Sequence, residues 1–219
     1  MKFLTLTTII ASCWLQNVDA VKWYSLRWHS PNKSAQYHKF SVEMVVPPLR
    51  KAGVYYLWPG LQDIDYSGVF QEVLDGKSGT WWIGSGWCCS NPSLPWGSGF
   101  DVRTAERLTI SKTRDTDSEN WSSSISSGSK SAKNSFPLAY KNFNQAVLAI
   151  ELHGVDWDFG PLVWINVVMV MNTTETAWCT NPPENYDSTT RYTMVDPKAT
   201  TSGGLTTCTI DRVEMQGPA

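Results

Sequence analysis

Clustered positive charge and histidine are what this sequence has least of. Only 17% of its 219 residues are charged, the formal net charge is −2, and there are three histidines. No run of five basic residues occurs, so we predict no nucleic-acid partner, because phosphate binding needs clustered Lys and Arg. No histidine pair has metal-ligand spacing, and neither a phosphate-cradling glycine loop nor a Gly-x-Ser-x-Gly elbow appears. The sequence therefore predicts no metal and no cofactor.

Long apolar runs are also missing. The longest, 162–171, is interrupted by Asn166, and a membrane helix needs about 18 apolar residues, so we predict no membrane span. The first residues carry a different signal: Lys2, a short apolar stretch, and Ala20 as a small residue at the cut. This is the pattern of a secretory signal peptide over 1–20. We expect a protein of the secretory lumen or the exterior, with one mature domain over 21–219.

Cysteine usage agrees with that compartment. Removing Cys13 with the leader leaves four: Cys88, Cys89, Cys179 and Cys208. An even number in an oxidising compartment predicts two disulfides. Adjacent strand residues point to opposite faces, so we expect Cys88 and Cys89 to take different partners, one pairing with Cys179 and the other with Cys208.

Glycosylation motifs point to the same compartment. The acceptor pattern Asn-x-Ser/Thr occurs at Asn32, Asn120 and Asn172, whereas proline blocks it at Asn91. We expect these three asparagines to carry glycans in the secreted protein.

Short strand-like segments dominate the mature chain, and no helical period lasts for three turns. Segments rich in β-branched and aromatic residues cover 40–46, 54–58, 68–74, 80–87, 107–113, 121–126, 145–153 and 163–171. They are bounded by turn signals such as Pro47-Pro48, Pro59-Gly60 and Asp75-Gly76, and we expect Ser/Gly-rich 122–135 to contribute a loop. This pattern predicts an all-β fold, a disulfide-stabilised two-sheet sandwich. The tail 194–219 is predicted either to add a strand around Cys208 or to pack loosely.

Side-chain alternation separates a core face from a polar face on several strands. Along 145–153, Glu151 and His153 share a face with small apolar residues, which suits the floor of a groove. On other strands Gln71 lies between two valines, Tyr56 shares a face with Trp58, and Trp82 lies opposite Trp81. We therefore predict a groove for a small-molecule or oligosaccharide ligand. Its candidate catalytic residues are Gln71 and Glu151, and its candidate binding residues are Tyr56, Trp58, Trp82 and His153.

The order of these motifs resembles the glutamic peptidases of the eqolisin family. Trp58-Pro-Gly-Leu, then Gly68-Val-Phe-Gln71, an aromatic strand, a Ser-rich stretch and Ala149-Ile-Glu151 follow one another over 54–153. The resemblance implies a concanavalin-A-like jelly roll, in which two antiparallel sheets pack together and one concave sheet holds the site. It also implies that Gln71 and Glu151 match the catalytic pair, with Glu activating water and Gln stabilising an oxyanion.

Three other functions fit the sequence. A polysaccharide lyase of this fold would draw its base and its carboxylate-neutralising groups from His38, Gln71, Arg103 and Tyr192. A lectin would need only the tryptophans and a polar rim. By its signal peptide, cysteines, sequons and length, the chain also resembles fungal hetero-Diels-Alder cyclases, which join tropolone-derived quinone methides to a terpene. That reaction needs an aromatic pocket that orients two partners rather than a nucleophile. The sequence favours this cyclase, with the hydrolase or lyase and the lectin as alternatives, and it predicts no particular oligomeric state.

Overall fold

The computed structural model describes residues 21–89 and 91–218, so the predicted signal peptide and Cys13 lie outside the described residues. Fifteen strands and one short helix are present in this part of the chain. In chain order they are β1 Val21–His29, β2 Tyr37–Val45, β3 Val54–Asp63, β4 Gly68–Asp75, β5 Trp81–Cys89, β6 Gly99–Val102, β7 Arg107–Arg114, β8 Trp121–Ser127, β9 Lys130–Phe136, β10 Phe143–His153, β11 Leu162–Met171, α1 Ala177–Thr180, β12 Glu184–Asn185, β13 Thr190–Val195, β14 Lys198–Ser202 and β15 Leu205–Pro218.

The strands form two antiparallel sheets that pack as a sandwich of jelly-roll type. The sheet that we name the front sheet has the order β12-β1-β10-β3-β4-β5-β6. The back sheet has the order β13-β15-β11-β2-β7-β8-β9, with β14 paired to β15. The predicted all-β sandwich is thus confirmed. No helix among the described residues is long and apolar enough to cross a membrane.

One continuous core fills the space between the sheets. Leu57, Leu148 and Ile150 of the front sheet belong to the same buried cluster as Ile110 and Met169 of the back sheet. A smaller buried cluster lies on the other face of the front sheet and consists of Trp58, Val73, Val147 and Ala149. These are the faces that alternation predicted, because neighbours along a strand point to opposite sides.

The predicted strand ends need correction at Pro59. We expected a stop at Pro59-Gly60, yet β3 runs on to Asp63. Proline cannot donate to a ladder, and the pairing with β4 is accordingly interrupted between Leu57 and Gly60. The carbonyl of Pro59 is bound instead by the buried Lys112 Nζ, at 3.2 Å.

Two further parts of the chain are more regular than the sequence suggested. The Ser-rich segment predicted as a loop is the hairpin β8–β9, in which Trp121, Ser123 and Ile125 alternate inward. Serine is small enough to lie under the facing sheet, so it alternates with large residues without ending the strand. The tail forms the long strand β15, with Cys208 buried in it, so it does not pack loosely.

The predicted disulfide pairing is wrong. Cys179 of α1 bonds to Cys208 of β15, with their Cα atoms 5.5 Å apart, and Cys88 pairs with its neighbour Cys89. Alternation along a single strand gave no indication of this pairing; Cys88 and Cys89 are the last two residues of β5.

Candidate functional site: an aromatic pocket on the front sheet

The outer face of the front sheet carries a cavity of about 410 Å³, which we name the aromatic pocket. It is lined by Tyr56, Trp58, Gln71, Val73, Asp75, Trp82, Cys88, Cys89, Trp96 and Glu151. Five of the six predicted catalytic and binding residues therefore share this cavity. The sixth, His153, contacts it through Glu151 and Tyr56, with its ring 5.7 Å from the Tyr56 ring.

Strand register orders the floor of the pocket into rows. One row contains Glu151, Tyr56, Asp75 and Trp82, which are cross-strand neighbours on β10, β3, β4 and β5. A second row contains Val147, Gly60, Gln71 and Gly86 on the same four strands. Paired residues point to the same face, so both rows face the ligand space.

Gln71 and Glu151 line one pocket but do not lie opposite each other. Gln71 is level with Gly60 on β3, whereas Glu151 is level with Tyr56, four residues away. Two strand spacings and four residues of offset put their Cα atoms roughly 16 Å apart in a regular sheet. The β10 residue in the row of Gln71 is Val147, which has no proton to transfer.

The Glu151 carboxylate already has a partner. His153 lies two residues further along β10, and its Nε2 is 2.5 Å from Glu151 Oε1. The charge of Glu151 also acts on its neighbour: burial first, then the carboxylates of Asp75 and Glu151, raise the pKa of the Tyr56 phenol. Tyr56 therefore stays protonated and can donate a hydrogen bond to a ligand.

The Gln71 amide is the accessible donor of the pocket floor. The Gln71 side chain lines the cavity, and its residue is 6% exposed. The Trp58 indole N–H is different, because it is buried away from the cavity space without an acceptor in the described part of the chain. Trp58 therefore offers a ligand its ring, whereas Gln71 offers hydrogen bonds.

Glycines on β5 explain why the tryptophans form walls. A Cβ at Gly84 would lie 1.9 Å from the Trp82 ring, and a Cβ at Gly86 would lie 2.4 Å from the Trp96 ring. Both rings therefore lie directly against the backbone, in positions that any larger residue would block. Trp96 was not predicted from the sequence, because it lies in the segment after β5 and follows no strand period. The spacing of Gly84 and Gly86 on the pocket face of β5 was the available signal.

The other predicted residues lie away from this pocket or on its rim. Cys88 and Cys89 line it, whereas Cys179 and Cys208 are in the core. Of the lyase set, only Gln71 lines it, and His38 lines a separate depression with Arg114. Asn32 and Asn172 are exposed and Asn120 is partly exposed. No group of three metal-ligating side chains occurs among the described residues.

The comparisons with known proteins place the fold. No family model matches the chain, and no curated protein sequence matches it. Two crystal structures of scytalido-glutamic peptidase with transition-state analogues match with a TM-score of 0.51 and 14% identity, over 87% of this chain and 100% of theirs. SCP-B of the eqolisin family, in complex with a tripeptide, matches over the same shares at 14% identity, with a TM-score of 0.44. The chain shares its fold with the scytalido-glutamic peptidase structures.

Proposed function

We propose that the protein is a cyclase that needs no cofactor and that orients two organic partners in the aromatic pocket, most concretely for a hetero-Diels-Alder coupling of a tropolone-derived quinone methide with a terpene. The observation that carries the proposal is the wall of four aromatic rings, Tyr56, Trp58, Trp82 and Trp96, around a cavity of about 410 Å³. This volume is in the range of sites that enclose drug-sized ligands.

In this reaction the main task of the protein is to orient the two partners. A heterodiene and an alkene form one C–C and one C–O bond, and no atom leaves. Holding two partners in register lowers such a barrier by about 7–11 kcal/mol in favourable cases. The Gln71 amide is suited to donate to the heterodiene carbonyl, which lowers the electron density of the heterodiene in the transition state.

A glutamic-peptidase-like hydrolase is the second candidate, and the shared fold together with the presence of Gln71 and Glu151 in one pocket favours it. The difference in register between Gln71 and Glu151 argues against a hydrolase. A Glu that activates water and a Gln that binds the oxyanion must both reach the same carbonyl. Here the two side chains start four residues apart, and Glu151 is paired with His153.

Paired assays on the secreted protein separate the candidates. The first measures the rate and stereoselectivity of a terpene–quinone methide coupling, and the second measures cleavage of casein and of polyuronates. The variants are Glu151→Gln, Trp58→Ala and Trp82→Ala. Tyr140→Ala is the control, because Tyr140 is an exposed aromatic residue that lines neither the aromatic pocket nor the cavity beside it.

A cyclase predicts that Trp58→Ala and Trp82→Ala lower the coupling rate more than Glu151→Gln does, because the amide still fills its space and forms hydrogen bonds. A hydrolase predicts polymer cleavage that falls by about 10²–10⁴-fold in Glu151→Gln. Coupling products in the ratio of the uncatalysed reaction contradict the cyclase. If wild type turns over nothing and only binds oligosaccharides, the protein is a lectin.

A further inference from the structure

A second cavity of about 450 Å³ adjoins the aromatic pocket on the side of β1, and we name it the Arg27 compartment. The two cavities share five lining residues, Trp58, Gln71, Cys88, Cys89 and Glu151. The new cavity differs in its outer wall, which contains Arg27, Trp23, Tyr66 and Tyr186. The groove therefore has two compartments with a common partition.

Arg27 is the cation of this compartment, and two neighbours hold its guanidinium in place. Its Nε donates to Ser25 Oγ at 3.1 Å, and its guanidinium carbon lies 3.6 Å from the centre of the Tyr186 ring. The Tyr186 backbone N–H is itself bound by the Ser25 carbonyl at 3.0 Å. Stacking on an aromatic face fixes the plane of the guanidinium and leaves its terminal N–H groups open.

No carboxylate within the described ranges lies at ion-pair distance from Arg27. The nearest candidate by register is Glu184, which pairs with Arg27 across β1 and β12. Its side chain is turned to His29, with Glu184 Oε2 2.5 Å from His29 Nε2. Arg27 thus has no ion pair within the described ranges, and Glu151, the acidic residue in the lining of the compartment, is paired with His153.

One row of the front sheet joins Arg27 to Gln71. Arg27, Val147, Gly60 and Gln71 are cross-strand neighbours on four successive strands. The Trp58 ring and the Val69 side chain cover the Gly60 position, where a Cβ would lie 2.9 and 2.7 Å from them. Three strand spacings separate Arg27 from Gln71 by about 14 Å, so a ligand ring that packs on Trp58 can place its anionic group at Arg27 and a second polar atom at the Gln71 amide.

We propose that the Arg27 compartment binds a planar organic anion, a carboxylate or enolate carried on an aromatic or tropolone-like ring. The inference rests on the proposed function and deepens it. The anionic ring takes this compartment, the apolar partner takes the aromatic pocket, and they meet at the partition formed by Trp58 and Gln71. Arg27 supplies charge recognition by a planar fork of donors, and Tyr186 positions that fork.

A charge-matched pair of probes tests the proposal without any turnover. We expect 2-naphthoate to quench the tryptophan fluorescence at lower concentration than the neutral isostere 2-naphthamide. Arg27→Gln should weaken 2-naphthoate binding by about tenfold or more, because a hydrogen bond to a charged group is lost, and should leave 2-naphthamide unchanged. The matched control is Arg114→Gln, since Arg114 is a cation on the back sheet.

Three results would overturn the proposal. The first is equal weakening of both probes by Arg27→Gln, which indicates a steric role. The second is equal weakening of 2-naphthoate by Arg114→Gln, which indicates non-specific attraction. The third is binding of N-acetyl-dialanine as tight as that of 2-naphthoate, which assigns Arg27 to the terminal carboxylate of a peptide.

A competition arm tests the two compartments and separates this proposal from the cyclase proposal. Farnesol, a neutral terpene alcohol, should leave the 2-naphthoate affinity within about twofold in wild type, and Trp82→Ala should weaken farnesol binding only. Full competition between the two would mean one shared site and contradict the two-compartment proposal. Arg27-dependent binding without any coupling activity would refute the cyclase and leave the anion site standing.

Discussion

The Lys112–Glu72 ion pair lies directly behind the pocket, and both side chains are completely buried. Lys112 of the back sheet donates to the Glu72 carboxylate and to the Pro59 carbonyl of β3. Ser123 Oγ donates to the other carboxylate oxygen at 2.9 Å. Burial raises the pKa of Glu72 and lowers the pKa of Lys112, because it penalises the charged form of each. The pair ties the two sheets together behind Trp58 and Gln71.

Removing one member of this pair should cost more stability than removing both. We expect Lys112→Met or Glu72→Leu alone to lower the free energy of unfolding by about 3–5 kcal/mol, because the remaining buried charged group loses its partner. The double change Lys112→Met with Glu72→Leu should cost less than either single change. Urea unfolding of the four proteins measures this, and strictly additive costs would show that the two residues do not interact.

Titration of Tyr55 makes the stability of the fold depend on pH in the alkaline range. Its phenol is 1% exposed and donates to Asp158 Oδ2 at 3.1 Å. Burial, then the hydrogen bond and the charge of Asp158, raise the pKa of Tyr55 to about 12. A raised pKa favours the protonated phenol in the folded state, so this stabilisation is complete below about pH 10 and is lost as the pH rises towards about 12.

The matched variant for this effect is Tyr55→Phe. Between about pH 9 and 12 the melting temperature of the wild type should fall more steeply than that of Tyr55→Phe, which has no proton to lose. The variant should be less stable at neutral pH, where the hydrogen bond to Asp158 is missing. Parallel slopes above about pH 10 would show that Tyr55 does not titrate within this range.

For individual residues, the sequence predicts the face of the sheet correctly where the residues follow a strand period of two. Gln71, Trp58 and Glu151 were assigned to one face because alternation is strict within a strand. Arg27 and Trp23 were missed because 21–29, directly after the predicted signal peptide, was not assigned as a strand. The four-residue offset between Gln71 and Glu151 depends on cross-strand register, which a single strand does not encode.

Among the elements, α1 is held to the back sheet by the Cys179–Cys208 disulfide, which closes a loop with a sequence separation of 29. In the chain-entropy model a loop of this size contributes about 3–4 kcal/mol. The Cys88–Cys89 pair has a separation of one and closes almost no loop. The two pairs therefore have different consequences for the stability of the fold.

Double serine variants of each pair should separate stability from binding. Cys179→Ser with Cys208→Ser should lower the free energy of unfolding by about 3–4 kcal/mol. Cys88→Ser with Cys89→Ser should change stability by much less and should alter ligand affinity, because both residues line the two compartments. Equal losses of stability in both variants, measured in urea, would contradict this division.

The existence of elements was easier to predict than their ends. Eight apolar segments were recognised as strands, since burial on one face imposes a period of two. Pro59 was taken as a stop because a proline removes one donor, and the compensation by Lys112 comes from the other sheet. The hairpin of β8 and β9 was taken partly for a loop because serine is typical of turns, although its alternation with Trp121 and Ile125 carried the strand signal.

For the whole molecule, the feature that decides stability is the single core shared by the two sheets. Because the inner faces of the two sheets bury most of their apolar side chains against each other, neither sheet is expected to stay folded alone. We therefore predict one cooperative unfolding transition for the oxidised protein, with tryptophan fluorescence and far-ultraviolet circular dichroism giving the same midpoint in urea.

The aromatic pocket lies on the outer face of the same front sheet, so a ligand bound there should stabilise both sheets together. A ligand at a hundred times its dissociation constant should add about 2.7 kcal/mol and shift the midpoints of both probes equally. If fluorescence changed at lower urea than circular dichroism, or only one probe responded to ligand, the front sheet would be an independent unit, and the buried pair of Lys112 and Glu72 would not couple the pocket to the rest of the fold.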